Sequence, residues 1–311
     1  NNITRNQILD VPMDQTTGYT KATMNSGKVR NRGIELQLDG TPVKTKNFTW
    51  NSTFTWAKNY NKVLSLAAGL TDGQTIAYTG GTNCALIAKV GGSIGDIYGY
   101  KLKRAPDGQV VWKDGITART TEFEYVGNAY PAWKAGFSNE FSYKNFRVSI
   151  LFDGQWGGIV YSQTHHKMTE HGTLKHTLKY RENPNFEVVG EGVMLDERGQ
   201  YVPNNVPISV SKYYADYWRH ANVETNSFDA SFLKLREARI EYTIPSAGLN
   251  KIGIERLTLA LYGRNLAMWT KDFPVYDPEV ATLNNGTIVP GSEMGQLPST
   301  RTMGFNLTLK F

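Results

Sequence analysis

Cysteine is nearly absent: Cys84 is the only one in the 311 residues of this chain. That excludes an internal disulfide framework and any zinc site built on several thiolates. No histidine is set beside Cys84 as a base, so a buried or loop thiol is the expected state. Long hydrophobic runs are missing too, and no stretch approaches the roughly 18 apolar residues of a membrane helix. Strands can still cross a bilayer, because they alternate and leave the mean hydropathy low, here −0.42. The opening NNITRNQILD is polar and does not begin with Met, so no signal peptide is expected and the chain reads as a mature protein or a piece of a longer one. Charge of one sign is only mildly in excess: 34 Lys and Arg face 28 Asp and Glu, a formal net charge of +6. The cations are scattered, with brief concentrations such as KLKRAPDG, so nucleic acid is not an expected partner.

Catalytic constellations are scarce as well. No paired carboxylates and no Ser-His-Asp arrangement stand out, so no enzyme activity, catalytic residue or cofactor is expected. His165 and His166, with His171 and His176 nearby, fall in a long connection without a carboxylate at ligand spacing. Solvated loop histidines are expected there, and no metal. Gly91-Gly92 does not open a helix after a buried strand, so a phosphate-cradling loop is not expected. Asn-x-Ser/Thr occurs at Asn2, Asn47, Asn51, Asn285 and Asn306, where Thr-rich polar composition suffices as the reason.

What is plentiful is strand and turn chemistry: 17 Tyr, 30 Gly and 12% aromatic residues. The ending RTMGFNLTLKF sets Met303, Phe305, Leu307, Leu309 and Phe311 at every second position. ERLTLALYGRN alternates in the same way through Leu257, Leu259 and Leu261, and LREARIEYTI through Ala238, Ile240 and Tyr242. In PAWKAGFSNEFSYKNFRVSILFDGQWGG, Trp133, Ala135, Phe137, Phe141 and Tyr143 share a face. After a turn near Lys144-Asn145, Phe146, Val148, Ile150, Phe152 and Trp156 resume it. GIELQLDG and FTWNSTFTW form the first hairpin, with Trp50 and Trp56, like Trp133 and Trp156, expected toward lipid or in an interfacial girdle.

About seven long strands emerge, and every second connection is short. The others, roughly 57–130, 162–229 and 270–301, are far longer than the ~12–15 residues usual in compact domains. Short turns on one rim, long loops on the other, and one charged face against one apolar face describe an outer-membrane barrel. The alternative is a soluble or surface-anchored β-rich, lectin-like glycan-binding protein with long binding loops. In the long connections Tyr98, Tyr100, Trp112, Tyr213, Tyr214, Tyr217 and Trp218 are candidates to touch substrate or a partner. An odd strand count also predicts that something precedes Asn1.

The residues resemble a known family in its own order. VRNRGIELQLDG, FTWNSTFTWAKNYNKVLSL, GGSIGDIYGYKLKRAPDGQVV, GNAYPAWKAGFSNEFSYKNFRVSILFDGQWGGIVYS, SFLKLREARIEYTIP, LYGRNLAMWTKDFPVYDPE and RTMGFNLTLKF are similar to segments of the SusC/RagA-type TonB-dependent outer-membrane transporters of Bacteroidetes. The resemblance implies an all-β fold, an antiparallel transmembrane β-barrel of which residues 1–311 supply the C-terminal strands of a 22-stranded plugged barrel with long extracellular loops. It implies a multi-pass protein of the bacterial outer membrane that imports oligosaccharides or peptides. Its partners would be a SusD-like surface lipoprotein acting as a lid, TonB-ExbB-ExbD reached through an N-terminal plug missing from this chain, and outer-membrane lipid. It also implies that Phe305, Leu307, Leu309 and Phe311 serve as the barrel-assembly signal.

Overall fold

The computed structural model describes residues 1–5, 8–12, 21–25, 27–66, 73–79, 82–245, 249, 253–279, 281–284 and 287–311. Asn285 lies outside the described residues. Among the described residues no helix is long and apolar enough to cross a membrane, which says nothing about strands.

The dominant element is an eight-stranded antiparallel sheet. Its strands are β1 (Asn2–Arg5), β2 (Lys28–Lys44), β3 (Phe48–Ser65), β4 (Trp133–Tyr143), β5 (Phe146–Trp156), β6 (Phe232–Ile244), β7 (Arg256–Thr270) and β8 (Thr302–Lys310), each beside the next in chain order. Seven of these carry the alternation visible in the sequence. The eighth, β1, does not, because four residues are too few to show a period; pairing with β2, Asn2 opposite Asn31, is what makes it a strand. The strand expected to leave at residue 57 continues to Ser65, so the first long connection is shorter than 57–130. Polar residues such as Lys58, Asn59 and Asn61 hide that extension in the sequence, and the ladder to β2 reveals it.

Register carries the apolar alternation straight across the sheet. Val43 pairs with Trp50, Trp50 with Phe141, Phe141 with Val148, Val148 with Ile240, Ile240 with Leu261, and Leu261 with Phe305. The next row on the opposite face reads Asn51, Glu140, Ser149, Arg239 and Tyr262. There Arg147 meets Glu241 at 3.3 Å and Arg239 meets the same carboxylate at 2.8 Å. Charges opposite one another on one face are what a water-filled interior tolerates.

The apolar face is open: Leu261 is 63% exposed and Phe305 80%. A soluble sandwich would have to cover such rows with a second sheet, and none of the described residues does so. An apolar surface this wide and this regular is stable only against hydrocarbon. The sheet is therefore a stretch of transmembrane β-barrel wall, lipid outside and water inside, and the soluble lectin-like alternative falls.

The long connections are folded. Gln74–Thr79, Cys84–Ala88, Asp96–Gly99 and Glu124–Asn128 make one four-stranded sheet; Val111–Lys113, Ile116–Thr117, Val193–Leu195 and Tyr201–Pro203 make another. A core of Cys84, Leu86, Ile97, Tyr161, Val223 and Val289 draws on all three connections, so they pack as one layer. Cys84 is fully buried in it, and burial pushes its thiol well above the ordinary range.

Candidate functional site

Two helices anchor the loop layer. α1 (Gln163–Glu170) starts at Ser162, whose Oγ accepts from His165 N at 2.9 Å; α2 (Val210–Tyr217) starts at Ser209, which caps it in the same manner through Lys212 N. Tyr213, Tyr214, Tyr217 and Trp218 recur at helical spacing along α2 and its C-cap, so they form one stripe.

That stripe closes on Trp112, which comes from the first long connection. The Trp112 ring stacks on those of Tyr213 and Tyr217, at 12° and 27° with centroids 6.1 Å away in each case, and its Nε1 donates to Glu191 O at 3.0 Å. Gly190 lets the chain pass the indole, because a Cβ there would sit 2.2 Å from Trp112 Cζ2. Tyr214 is buried, and its single hydroxyl proton is shared between the carbonyls of His176 and Lys179, both at 2.9 Å. Asp216, on the other side of α2, accepts from Thr117 N at 2.7 Å and Thr117 Oγ1 at 2.8 Å. Trp112 and Tyr214 thus lie inside the loop layer and pin its halves together; Tyr213, Tyr217 and Trp218 are half-buried around them. Tyr98 and Tyr100 are elsewhere. Tyr98 meets Tyr125 edge-on at 5.7 Å with Lys89 above its ring, and Tyr100 meets Phe123 at 4.8 Å with Arg119 above it. The seven candidates therefore form one internal cluster and one separate, half-buried pair.

The histidines correct an expectation. His165 and His166 are each only 2% exposed; they are packing residues of α1 where solvated loop positions were expected. His165 Nδ1 lies 2.9 Å from Asn226 Oδ1, and its ring faces His176. Burial is the main cause that brings its pKa down to about 4, neighbouring His176 and His166 adding to it. His166 Nδ1 donates to Trp218 O at 2.7 Å, while its buried Nε2 has no hydrogen-bond partner, the nearest carboxylate being Glu170 at 3.7 Å. His176 is half-buried and His171 exposed. Helical periodicity in QTHHKMTE was the available signal, too short to read alone. Among the described residues no group of three His, Cys, Asp or Glu is placed to hold a metal.

Two polar hubs were not legible in the sequence. Glu293, fully buried, accepts from Ser162 Oγ at 2.5 Å, Thr164 Oγ1 at 2.6 Å, Tyr276 hydroxyl at 2.5 Å and Gly295 N at 2.6 Å. Burial raises its pKa, but these hydrogen bonds outweigh burial and hold the carboxyl below its ordinary value. It therefore ties the 270–301 connection to the first turn of α1. The second hub lies on the charged face of the wall. Lys234, 2% exposed, donates to both oxygens of Asp277 and to Glu279, while Arg236 bridges Asp153 and Glu279. The bulge between Leu235 and Glu237 turns Arg236 into that network. Beside it runs a groove of about 460 Å³ lined by Glu35, Gln37, Thr55, Lys134, Gln155 and Glu279. Gly136 keeps it open, since a Cβ there would press on Thr55 Oγ1 at 2.8 Å. The groove and the hub beside it together present hydrogen-bonding and charged groups on the interior face of the wall.

No protein-family profile matches the chain. TonB-dependent receptor P26 of Formosa agariphila is 29% identical over 338 residues, which cover 99% of this chain and 32% of that protein. Along nearly its whole length the chain is similar to proteins named TonB-dependent receptors. TonB-dependent receptor SusC of Bacteroides thetaiotaomicron is 23% identical over 73% of the chain and 22% of its own length. A solved structure of the RagAB peptide transporter superposes with a TM-score of 0.66 at 20% identity, covering 99% of the chain and 32% of that chain. The same assembly in its open-open state gives 0.67. The chain thus spans about a third of the length of TonB-dependent receptors P26 and P3, 32% and 31%. Its wall has the fold of those transporters' barrel, and its location is the bacterial outer membrane.

Proposed function

We propose that this chain is the C-terminal part of the barrel of a receptor that imports oligosaccharides or peptides across the outer membrane. In this reading the polar groove beside Lys234 and Arg236 is part of the path. The folded connections at the long-loop rim seat a SusD-like lipoprotein lid. Energy comes from TonB-ExbB-ExbD through a plug carried by the rest of the receptor, and no covalent step is involved. The observation that carries the reading is the match to named TonB-dependent receptors along 99% of the chain. The loop layer supports it: three connections share one core, so the rim presents a fixed surface on which a partner can dock.

The test is made in the full-length receptor. Residues 162–229 are replaced by a short Gly-Ser turn, which removes α1, α2 and the aromatic stripe of α2 but leaves every wall strand. The barrel should still insert, while lid co-purification and uptake of labelled oligosaccharide or peptide are both lost. Persistence of both refutes the proposal.

A further inference from the structure

The lipid-facing surface is not uniformly convex. Where β4 and β5 approach the long-loop rim, a depression of about 460 Å³ is sunk into it. Its floor is Ala135 opposite Gly154, the smallest pair in that ladder. Toward the rim it is closed by Trp133 and Trp156, also paired and nearly parallel, with centroids 6.5 Å apart at 10°. Toward the bilayer centre it is closed by Phe137 opposite Phe152, and laterally by Leu233 opposite Trp269. Gly154 is obligatory in the floor, because a Cβ would lie 2.6 Å from Phe232 O of β6. Large side chains surround two positions that carry almost none, and several of them are open: Phe137 is 42% exposed, Trp156 51% and Trp269 54%.

We infer that this depression is a binding site for a hydrocarbon chain of an outer-leaflet lipid. It is continuous with the membrane-facing surface, so acyl chains are the medium around it. Its depth is marked by Lys271, whose Nζ lies 5.1 Å from the Trp156 ring centroid on the rim side. A cation over an interfacial Trp sits at headgroup level, which places the pit just beneath it. Long loops are extracellular in such barrels, so that leaflet is the outer one. Lys271 is already held by Asp229 at 2.6 Å, so the site selects hydrocarbon and does not select headgroup charge. The pit is short along the strand, with Trp133 and Phe137 about 14 Å apart along β4, room for a segment of an acyl chain. A second copy of the receptor fits less well. A two-fold contact centred here would set pit against pit and leave a void.

The full-length receptor in mild detergent is titrated with dipalmitoyl phosphatidylethanolamine and bound lipids are counted by native mass spectrometry. The wild type should retain one lipid through detergent activation that strips the rest. Ala135→Phe fills the floor and should lower that retention about tenfold, equivalent to about 1.4 kcal/mol. Trp269→Ala opens a wall and should have a similar effect, which covers the case in which the first variant does not fold. Leu261→Phe, on the same face outside the pit, should retain the lipid as the wild type does. Retention unchanged in both pit variants overturns the proposal. So does efficient cross-linking of Ala135→Cys between two receptor copies, which would place a second copy on this face.

Discussion

Ile150 lies close to the centre of β5, and its side chain occupies the apolar row between Asn139 and Ala238. The 11 residues of β5 rise about 3.4 Å each and, tilted by about 40°, cover about 29 Å of height against an apolar band of about 25 Å. Ile150 is thus near the bilayer midplane. Arg placed there must leave its charge in hydrocarbon or snorkel, at a cost of about 2–4 kcal/mol. Arg at Ser149, one residue away, points into the charged interior between Glu140 and Arg239. One neighbour attracts it and the other repels it in a hydrated setting, so its effect should stay within about 1 kcal/mol. The assay is equilibrium folding of the full-length receptor into lipid vesicles across a urea series, read by heat-modifiable gel migration. Equal costs, or a larger cost for Ser149→Arg, would refute the assignment of faces, because a one-residue slip exchanges them.

His165 has a pKa near 4 in the folded loop layer, below its ordinary 6.5. Its stabilising contribution, on the order of 3 kcal/mol, is present above pH 6.5 and is lost as pH falls toward 4, because the unfolded layer binds the proton more tightly. Hydrogen exchange of α1 in the receptor should accelerate over that window and His165→Gln should flatten the change; an unaltered profile in the variant would assign the pH response to another group. Phe311, 78% exposed beside the open row of Phe305, Leu307 and Leu309, is proposed to be read by the barrel-assembly machinery. Its deletion should lower outer-membrane yield several-fold, and a wild-type yield on quantitative blotting would reduce it to a lipid-facing side chain.

The sequence alone determined the wall. Alternation is a property of consecutive residues, so β2 to β8 could be found without any partner, and the apolar and charged faces followed from the pleat. It also showed that long connections separate the hairpins, although it began the first of them too early, where polar residues mask the end of β3. What it could not show was anything that depends on which distant residues meet. The short β1 exists because Asn31 and its neighbours pair with it. His165 and His166 look like loop residues until α1 packs against Asn226 and Trp218. Trp112 looks like a ligand platform until α2, from the next connection, closes over it. Glu293 and Lys234 are ordinary charged residues in sequence, and only tertiary contacts across connections satisfy them in burial. The lipid-side pit likewise needs register: Ala135 and Gly154 are unremarkable apart, and become a floor only because the ladder sets them opposite each other. Local periodicity fixes which face a residue takes, while closure of long loops decides what that residue touches.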